Sequence, residues 1–193
     1  MKKIELLKRE INYVKDEERR KDLKILIKLL PDYFFEIPAS STGKYHPEFA
    51  LGEGGLLRHT KVAVRMAYEL LSNNTVGAKF TDKDKDLIIM ALVLHDGVKS
   101  GMEHSKYTKF DHPLLVSKLI MENKDKLSLE IDDVRKLCSM IESHMGEWTY
   151  DSYQKKEVLP KPRTAEQRFV HMCDFLASRK FLDVKFLDND IDG

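Results

Sequence analysis

The chain has 193 residues, a formal net charge of +1, 42% hydrophobic and 34% charged residues. This composition is typical of a globular protein with one hydrophobic core, and it favours neither disorder nor an extended nucleic-acid-binding surface. The longest apolar run, 87–94, is too short to span a membrane. The N-terminal segment lacks the apolar stretch of a signal peptide, and the two cysteines match no zinc or redox spacing. We therefore expect a single-domain cytoplasmic protein with free thiols and no membrane contact.

The first 54 residues divide into a helical extension and a long loop. In residues 1–30, apolar side chains recur at helical spacing over 2–29, which predicts one amphipathic helix or two. Residues 31–54, "PDYFFEIPASSTGKYHPEFALGEG", contain three prolines and three glycines. Loops of this length in a compact domain are usually functional or disordered. The aromatic residues favour a packed loop that runs over a pocket.

Residues 55–180 show helical periodicity with recognisable starting signals. Thr164 and Gln167 have the spacing of a capping box, and Thr81 with Asp82 is a plausible helix start. We expect helices at about 55–71, 82–95, 111–122, 128 or 132 to 144, and 164–180. There is no alternating strand pattern, and the polar tail, 181–193, is expected to fray. The prediction is an all-α, single-domain bundle of about six to seven helices spanning residues 1–193.

Four polar residues fall on the predicted inward faces of four different helices: His59, His95, His144 and Asp174. A lone inward histidine is more often a hydrogen-bonded core residue than a ligand, but a buried carboxylate needs a partner. The adjacent His95 and Asp96 alone fit a helix terminus, a buried pair or two metal ligands. The four inward residues need one another or a cation, and imidazole and carboxylate suit Mn²⁺, Fe²⁺, Zn²⁺, Co²⁺ or Ni²⁺. His112, at the start of a short helix, is a fifth candidate.

The order of these residues resembles the HD-domain metal-dependent phosphohydrolase superfamily over about residues 50–180. The resemblance is carried by "GGLLRHT", by the adjacent His-Asp of "LHDGVKSG" and by "HMCDFLASR". Within that superfamily the sequence is most similar to the HD domain of YhaM-type 3'→5' exoribonucleases, through the segments "YHPEFALGEGGLLRHT" and "SHMGEW". Those exonucleases also carry an N-terminal OB-fold, and we expect no counterpart of it in the roughly 50 residues ahead of His59. The resemblance implies an HD-type helical fold with residues 55–180 as the metal-binding core.

A two-metal site is what this resemblance implies. His59, His95, Asp96 and Asp174 would hold one divalent cation, and Asp96 would bridge to a second held by His112 and His144. The site would bind one or two ions of Mn²⁺, Fe²⁺, Ni²⁺, Co²⁺, Zn²⁺ or Mg²⁺, and a metal-bridged hydroxide would attack phosphorus. Asp96 and Lys99 would be the catalytic residues. Lys99 would clamp a phosphate oxygen; the alternative is an exposed charge favoured by the helix dipole.

Five further residues are candidates for substrate binding: Arg58, Lys44, Tyr45, His46 and Glu147. For Arg58 the alternative is a solvent-exposed side chain, and for the three loop residues it is packing of the loop alone. Glu147 and the adjacent Trp148 either flank the pocket or cover the core. His104 and His171 are expected to be non-ligands, since His171 is assigned to a different side of its helix from Val170 and Cys173.

The predicted function is hydrolysis of a phosphoester in a nucleotide or short oligonucleotide, as a phosphodiesterase or 3'→5' exonuclease. A nucleotide phosphomonoesterase and a hydrolase of dinucleotides or cyclic nucleotides are alternatives within the same class. A regulatory HD module that senses a metal or a nucleotide is the non-enzyme alternative. Such a module would be expected to lack one of the six ligands, and the sequence has all six.

Overall fold

The computed structural model describes residues 3–40, 42–44 and 46–192, and within these ranges eight α-helices form the framework of the fold. They are α1 (Lys3–Leu6), α2 (Lys8–Asn12), α3 (Glu17–Leu29), α4 (Gly55–Ser72), α5 (Asp82–Leu94), α6 (His112–Glu122), α7 (Ile131–Glu142) and α8 (Ala165–Ala177). The only strands within the described ranges form two short hairpins, β1 (Tyr150–Asp151) with β2 (Lys156–Glu157) and β3 (Phe186–Leu187) with β4 (Asp190–Ile191). The all-α prediction is therefore confirmed. In this described part of the chain, no helix is long and apolar enough to cross a membrane.

The N-terminal segment contains three helices where the periodicity predicts one or two. The chain breaks before α3 because buried Asp86 accepts hydrogen bonds from the backbone nitrogens of Lys15 (2.8 Å) and Asp16 (3.0 Å). The Asp16 side chain then caps α3 by accepting from the Arg19 nitrogen at 2.9 Å. Asp22 is also buried and accepts from the Ser128 nitrogen, which ties α3 to the segment before α7. The Asp86 and Asp22 carboxylates are thus satisfied by backbone donors from other segments of the chain and play a structural role.

Helix α5 carries the apolar run 87–94, and every residue of that run is buried. The helix begins at a capping box between Thr81 and Asp84, and α8 begins at the predicted box between Thr164 and Gln167. Helix α5 packs against α4, α7 and α8, while α4 packs against α8 and α6 against α7. The C-terminal end of α5 therefore lies in the interior, next to α4, α7 and α8.

Gly97 follows the His-Asp pair because the chain passes very close to its neighbours there. A Cβ at this position would lie 2.6 Å from Leu30 Cδ2 and 2.9 Å from the Leu94 carbonyl oxygen. Glycine alone avoids these contacts. The turn after Asp96 is thus packed directly against the end of the N-terminal helical extension.

The sequence predicts a frayed tail, but in the structure the tail forms a hairpin. Strands β3 and β4 pair antiparallel, with Phe186 opposite Ile191, and β4 contacts α4. Buried Lys61 on α4 forms an ion pair with Asp190, so the hairpin supplies the anion that this lysine needs. The long loop contains two 3₁₀ turns, Asp32–Phe35 and Glu48–Ala50, and it packs on α4.

Candidate metal centre

The structure brings all six predicted ligands together from five helices or their ends. His59 lies on α4, His95 is the C-cap of α5 with Asp96 directly after it, and His112 opens α6. His144 lies in the turn just beyond α7 and not on its face, and Asp174 lies on α8. Five of the six residues are at most 2% exposed: His59, His95, Asp96, His112 and His144. Such a concentration of buried polar groups needs mutual compensation.

Asp96 faces imidazoles on both of its oxygens. Oδ1 lies 2.9 Å from His112 Nε2 and 3.7 Å from His144 Nε2, while Oδ2 lies 3.5 Å from His95 Nε2. Asp174 faces one side of the cluster only, with Oδ1 2.9 Å from His59 Nε2 and 3.4 Å from His95 Nε2. Asp96 is therefore the carboxylate that joins the two halves of the cluster.

Backbone hydrogen bonds fix the tautomer of three of the histidines. The Nδ1 atoms of His95, His112 and His144 each donate to a carbonyl oxygen three residues earlier in the chain, all at 2.7 Å. In a neutral imidazole, the proton on Nδ1 leaves Nε2 as an unprotonated acceptor. Each of these Nε2 atoms points into the cluster. Orienting hydrogen bonds of this kind are typical of histidines that bind metals.

Several acceptors in the cluster lack donors. His95 Nε2 and Asp96 Oδ1 are buried and have no hydrogen-bond partner among the described residues. The 2.9 Å contact between Asp96 Oδ1 and His112 Nε2 therefore places two acceptors together unless a positive charge lies between them. A proton would serve a single pair, whereas a divalent cation would serve several acceptors at once. The donor set, imidazole nitrogen with carboxylate oxygen, fits such a cation.

Two overlapping triads have ligand atoms within 4.8 Å of one another: His59, His95 and Asp174, and His95, Asp96 and His144. Both contain His95. His112 lies outside these triads, although its Nε2 is 3.4 Å from His144 Nε2. The geometry accommodates a divalent cation, and the division of ligands between two ions stays a prediction.

The charges of the cluster favour the ligand forms of its carboxylates. Burial alone would raise the pKa of the Asp96 carboxyl, but the Lys99 ammonium and the His95 imidazole outweigh it and hold that pKa well below its usual range. Burial also opposes ionisation of Asp174, but the His59 imidazole, with Nε2 2.9 Å from Asp174 Oδ1, outweighs it and keeps the pKa of that carboxyl well below its usual range. Burial and the neighbouring His95 lower the pKa of His144 to about 3, so His144 is a neutral acceptor.

A cavity of about 230 Å³, here called the metal cavity, opens onto this cluster. Its wall includes Lys99, whose Nζ lies 2.5 Å from Asp96 Oδ2, and His46 from the long loop. The His46 ring packs edge-on against His59, with the ring centroids 5.3 Å apart. Both predicted catalytic residues, Asp96 and Lys99, thus line this space, together with His46 from the predicted substrate-binding set.

The other predicted substrate-binding residues lie elsewhere. Lys44 and Glu147 are exposed and do not line the metal cavity, and Tyr45 lies outside the described residues.

The Arg58 guanidinium donates to the carbonyl oxygens of Phe49 (2.6 Å) and Leu51 (2.9 Å). Its third contact is Asn189 Oδ1 at 3.2 Å. Arg58 therefore joins the long loop to the tail hairpin. Its guanidinium points to these two segments and not to the metal cavity.

An aromatic wall that the sequence only partly indicates completes the metal cavity. It consists of Trp148, His171 and Phe175. His171 stays outside the metal triads, and its Nδ1 donates to the His144 carbonyl oxygen at 2.7 Å. Residues 171, 174 and 175 have the i, i+3, i+4 spacing of one helix face. The spacing of His171 from Asp174 therefore predicts that His171 faces the cavity, whereas its position relative to Val170 does not. His104 is exposed and stacks on Tyr33, away from the triads.

Comparison with known proteins identifies the family. The family model described as HD domain matches residues 56–178, well over half of the chain. The chain belongs to the HD domain family. HD domains are generally metal-dependent phosphohydrolases, and all six candidate ligands lie within the matched range. No curated protein and no solved structure matches the chain.

Proposed function

We propose that this HD domain hydrolyses a phosphoester of a nucleotide or short oligonucleotide, as a phosphodiesterase or 3'→5' exonuclease of the YhaM type. The observation that carries the proposal is the convergence of unprotonated imidazole nitrogens and two ionised carboxylates at one buried point beside Lys99. A structural role would not require acceptors to face acceptors. A phosphohydrolase that binds divalent cations requires that arrangement.

The proposed ligands are His59, His95, Asp96, His112, His144 and Asp174, with Asp96 as the bridging carboxylate. Bound divalent cations would supply Lewis acidity and lower the pKa of a water molecule. In hydrolysis, the water oxygen bonds to phosphorus, the bond to the leaving oxygen breaks, and a water proton ends on the leaving group. The chain's own cation, Lys99, lies at the cavity wall and offers a point charge to a phosphate oxygen.

A nucleotide is the proposed substrate because one wall of the metal cavity is aromatic and partly open to solvent. Trp148 is 47% exposed and stacks on Phe175, with centroids 5.9 Å apart and the ring planes 17° apart. A base stacks on such a surface without sequence preference. The 230 Å³ of the metal cavity also favours a second candidate, a phosphomonoesterase acting on a single nucleotide.

Metal analysis and a substrate panel test this proposal. The purified protein is assayed by elemental analysis and against mononucleotides, cyclic nucleotides, dinucleotides, short RNA and short DNA. Asp96→Asn is compared with Asp125→Asn, a control in which the carboxylate is 88% exposed. We expect bound divalent metal and turnover in wild type and the control, and loss of both in Asp96→Asn. Absence of turnover in every metal-reconstituted form, with less than one metal per chain, would contradict the proposal.

A further inference from the structure

A second cavity, of about 330 Å³, adjoins the metal cavity. The two share Lys99 and Thr108 in their walls. The rest of the second cavity is formed by Ile37, Pro38, Ser100, His104, Lys106 and Tyr107. None of these six residues belongs to the metal cluster. A ligand that extends from the metals past Lys99 therefore enters a separate, preformed space.

The loop that forms the second cavity, residues 99–109, is held in shape at its base. The Lys109 nitrogen donates to the Lys99 carbonyl oxygen at 2.8 Å, which closes the loop. The Tyr33 hydroxyl donates to the Gly101 carbonyl oxygen at 2.7 Å and accepts from the Ser100 nitrogen at 3.0 Å. The Tyr33 ring also stacks on His104, with centroids 4.9 Å apart. The walls are thus positioned by contacts that do not involve a ligand.

The exposed residues of this loop combine a cation with an aromatic ring. Tyr107 is 64% exposed, and Lys106 Nζ lies 5.5 Å from the centre of its ring. Among the described residues, neither Lys106 nor Lys109 has a carboxylate within ion-pair distance, whereas Lys99 pairs with Asp96. An unneutralised ammonium beside an open aromatic face is suited to a phosphate followed by a base.

We infer that the second cavity binds a neighbouring nucleotide unit, so that the preferred substrate is a di- or oligonucleotide phosphodiester and not a mononucleotide. The inference rests on the proposed phosphohydrolase function. The scissile phosphate lies at the metal cluster beside Lys99. The adjoining unit lies across Lys99 in the second cavity, with its phosphate facing Lys106 and its base on Tyr107. A mononucleotide fills only one of the two spaces.

Kinetics with matched substrates test the inference. The metal-loaded protein is assayed with a mononucleotide, a 5'-phosphorylated dinucleotide, a trinucleotide and bis(4-nitrophenyl) phosphate, a small diester without bases. We expect kcat/KM for the dinucleotide to exceed that for the mononucleotide by at least about tenfold, since one stacked base contributes this much. No turnover of any substrate would contradict the proposed function itself. Turnover of the small diester, with equal kcat/KM for mono- and dinucleotide, would overturn the second-cavity inference alone.

Variants of the loop 99–109 test whether Lys106 and Tyr107 cause the preference for a dinucleotide over a mononucleotide. In Lys106→Ala and Tyr107→Ala, the ratio of dinucleotide to mononucleotide kcat/KM should fall about tenfold. The controls are Lys24→Ala, on the exposed face of α3, and Tyr153→Ala, 95% exposed; neither residue lines either cavity, and the ratio should stay at the wild-type value. An unchanged ratio in both loop variants would overturn the inference.

Binding gives a readout that does not depend on turnover. With the metal-loaded protein, calorimetric titration with a non-hydrolysable methylenephosphonate analogue of the 5'-phosphorylated dinucleotide should show a Kd about tenfold weaker in Tyr107→Ala than in wild type. The Kd of the mononucleotide should change by less than twofold. Equal weakening for both ligands would indicate a general loss of loop structure and would overturn the assignment of Tyr107 to the second nucleotide.

Discussion

Asp96 Oδ1 and His112 Nε2 lie 2.9 Å apart, although both atoms are hydrogen-bond acceptors in the tautomer that the backbone imposes on His112. The contact is favourable only when a positive charge lies between them. In Asp96→Asn the amide can donate to His112, so the fold should be retained while bound metal and turnover are lost. We expect turnover to fall by several orders of magnitude. Circular dichroism with elemental analysis and the phosphoester assay would check this, and wild-type metal content in the variant would contradict it.

Chelation should destabilise the wild-type protein. A metal that binds only the folded state stabilises it by about 2.7 kcal/mol at 100 times its Kd. For a chain of this size, that corresponds to a Tm lower by on the order of 5–10 °C after treatment with a chelator. Added Mn²⁺ should restore the Tm. The same treatment of Asp96→Asn should shift the Tm much less, and an equal shift in both proteins would count against the cluster as the binding site.

His171→Ala should leave metal content unchanged, because the His171 ring supports His144 through the backbone and belongs to neither triad. The lost hydrogen bond should lower the free energy of unfolding by about 1 kcal/mol. The matched change His144→Ala should reduce the metal content. Elemental analysis and urea unfolding of the two variants would check this, and loss of metal in His171→Ala would show that His171 is a ligand.

Gly146 and His171 should be energetically coupled. Gly146 has φ +69°, and a Cβ there would lie 2.2 Å from His171 Cε1. Gly146→Ala should therefore destabilise the wild type by more than it destabilises His171→Ala, in which only the backbone strain remains. A double-mutant cycle by urea unfolding measures the difference. Equal costs in the two backgrounds would show that the ring moves aside freely.

Arg58→Lys should destabilise the attachment of the long loop. The three contacts of the guanidinium, with Phe49, Leu51 and Asn189, require a planar group with several donors, which an ammonium does not provide. We expect a loss of about 1–3 kcal/mol in the free energy of unfolding. Arg135→Lys, at a surface pair with Asp132, is the control and should be nearly neutral. Equal unfolding curves for both variants would contradict the role assigned to Arg58.

Acid should weaken the contact between α5, α7 and α8. Lys136 Nζ lies 2.6 Å from Asp84 Oδ1 and 2.8 Å from Glu166 Oε1. Burial opposes ionisation of the two carboxyls, but their hydrogen bonds with Lys136 outweigh burial and lower the pKa of both. Because the unfolded state takes up protons first, this stability is present above the ordinary values of 3.8 and 4.5 and is lost as pH falls through the lower folded values. Between pH 6 and pH 3, the free energy of unfolding measured in urea should fall less steeply in Lys136→Gln than in wild type. An equally steep fall in both proteins would contradict this prediction.

The sequence by itself determined the features that depend on local spacing. Helical periodicity predicts the central helices, and the two capping boxes at Thr81 and Thr164 occur because a cap is made within one turn of chain. The chemical identity of the cluster was also readable, since inward histidines and carboxylates on apolar faces need one another or a cation. The match to the HD domain family and the convergence of the six residues agree with that pattern.

Only the tertiary structure decided which side chains surround the cluster. Arg58 is adjacent to His59 in sequence, yet its guanidinium is held by the long loop and by Asn189, 131 residues away. The tail hairpin is joined to α4 by the pair between buried Lys61 and Asp190, a contact across 129 residues. His171 and the loop with Lys106 and Tyr107 reach the cavities through packing between elements that are distant along the chain. Spacing fixes which face of a helix a residue occupies, whereas the direction of a side chain depends on long-range partners, and those partners exist only once the helices have packed.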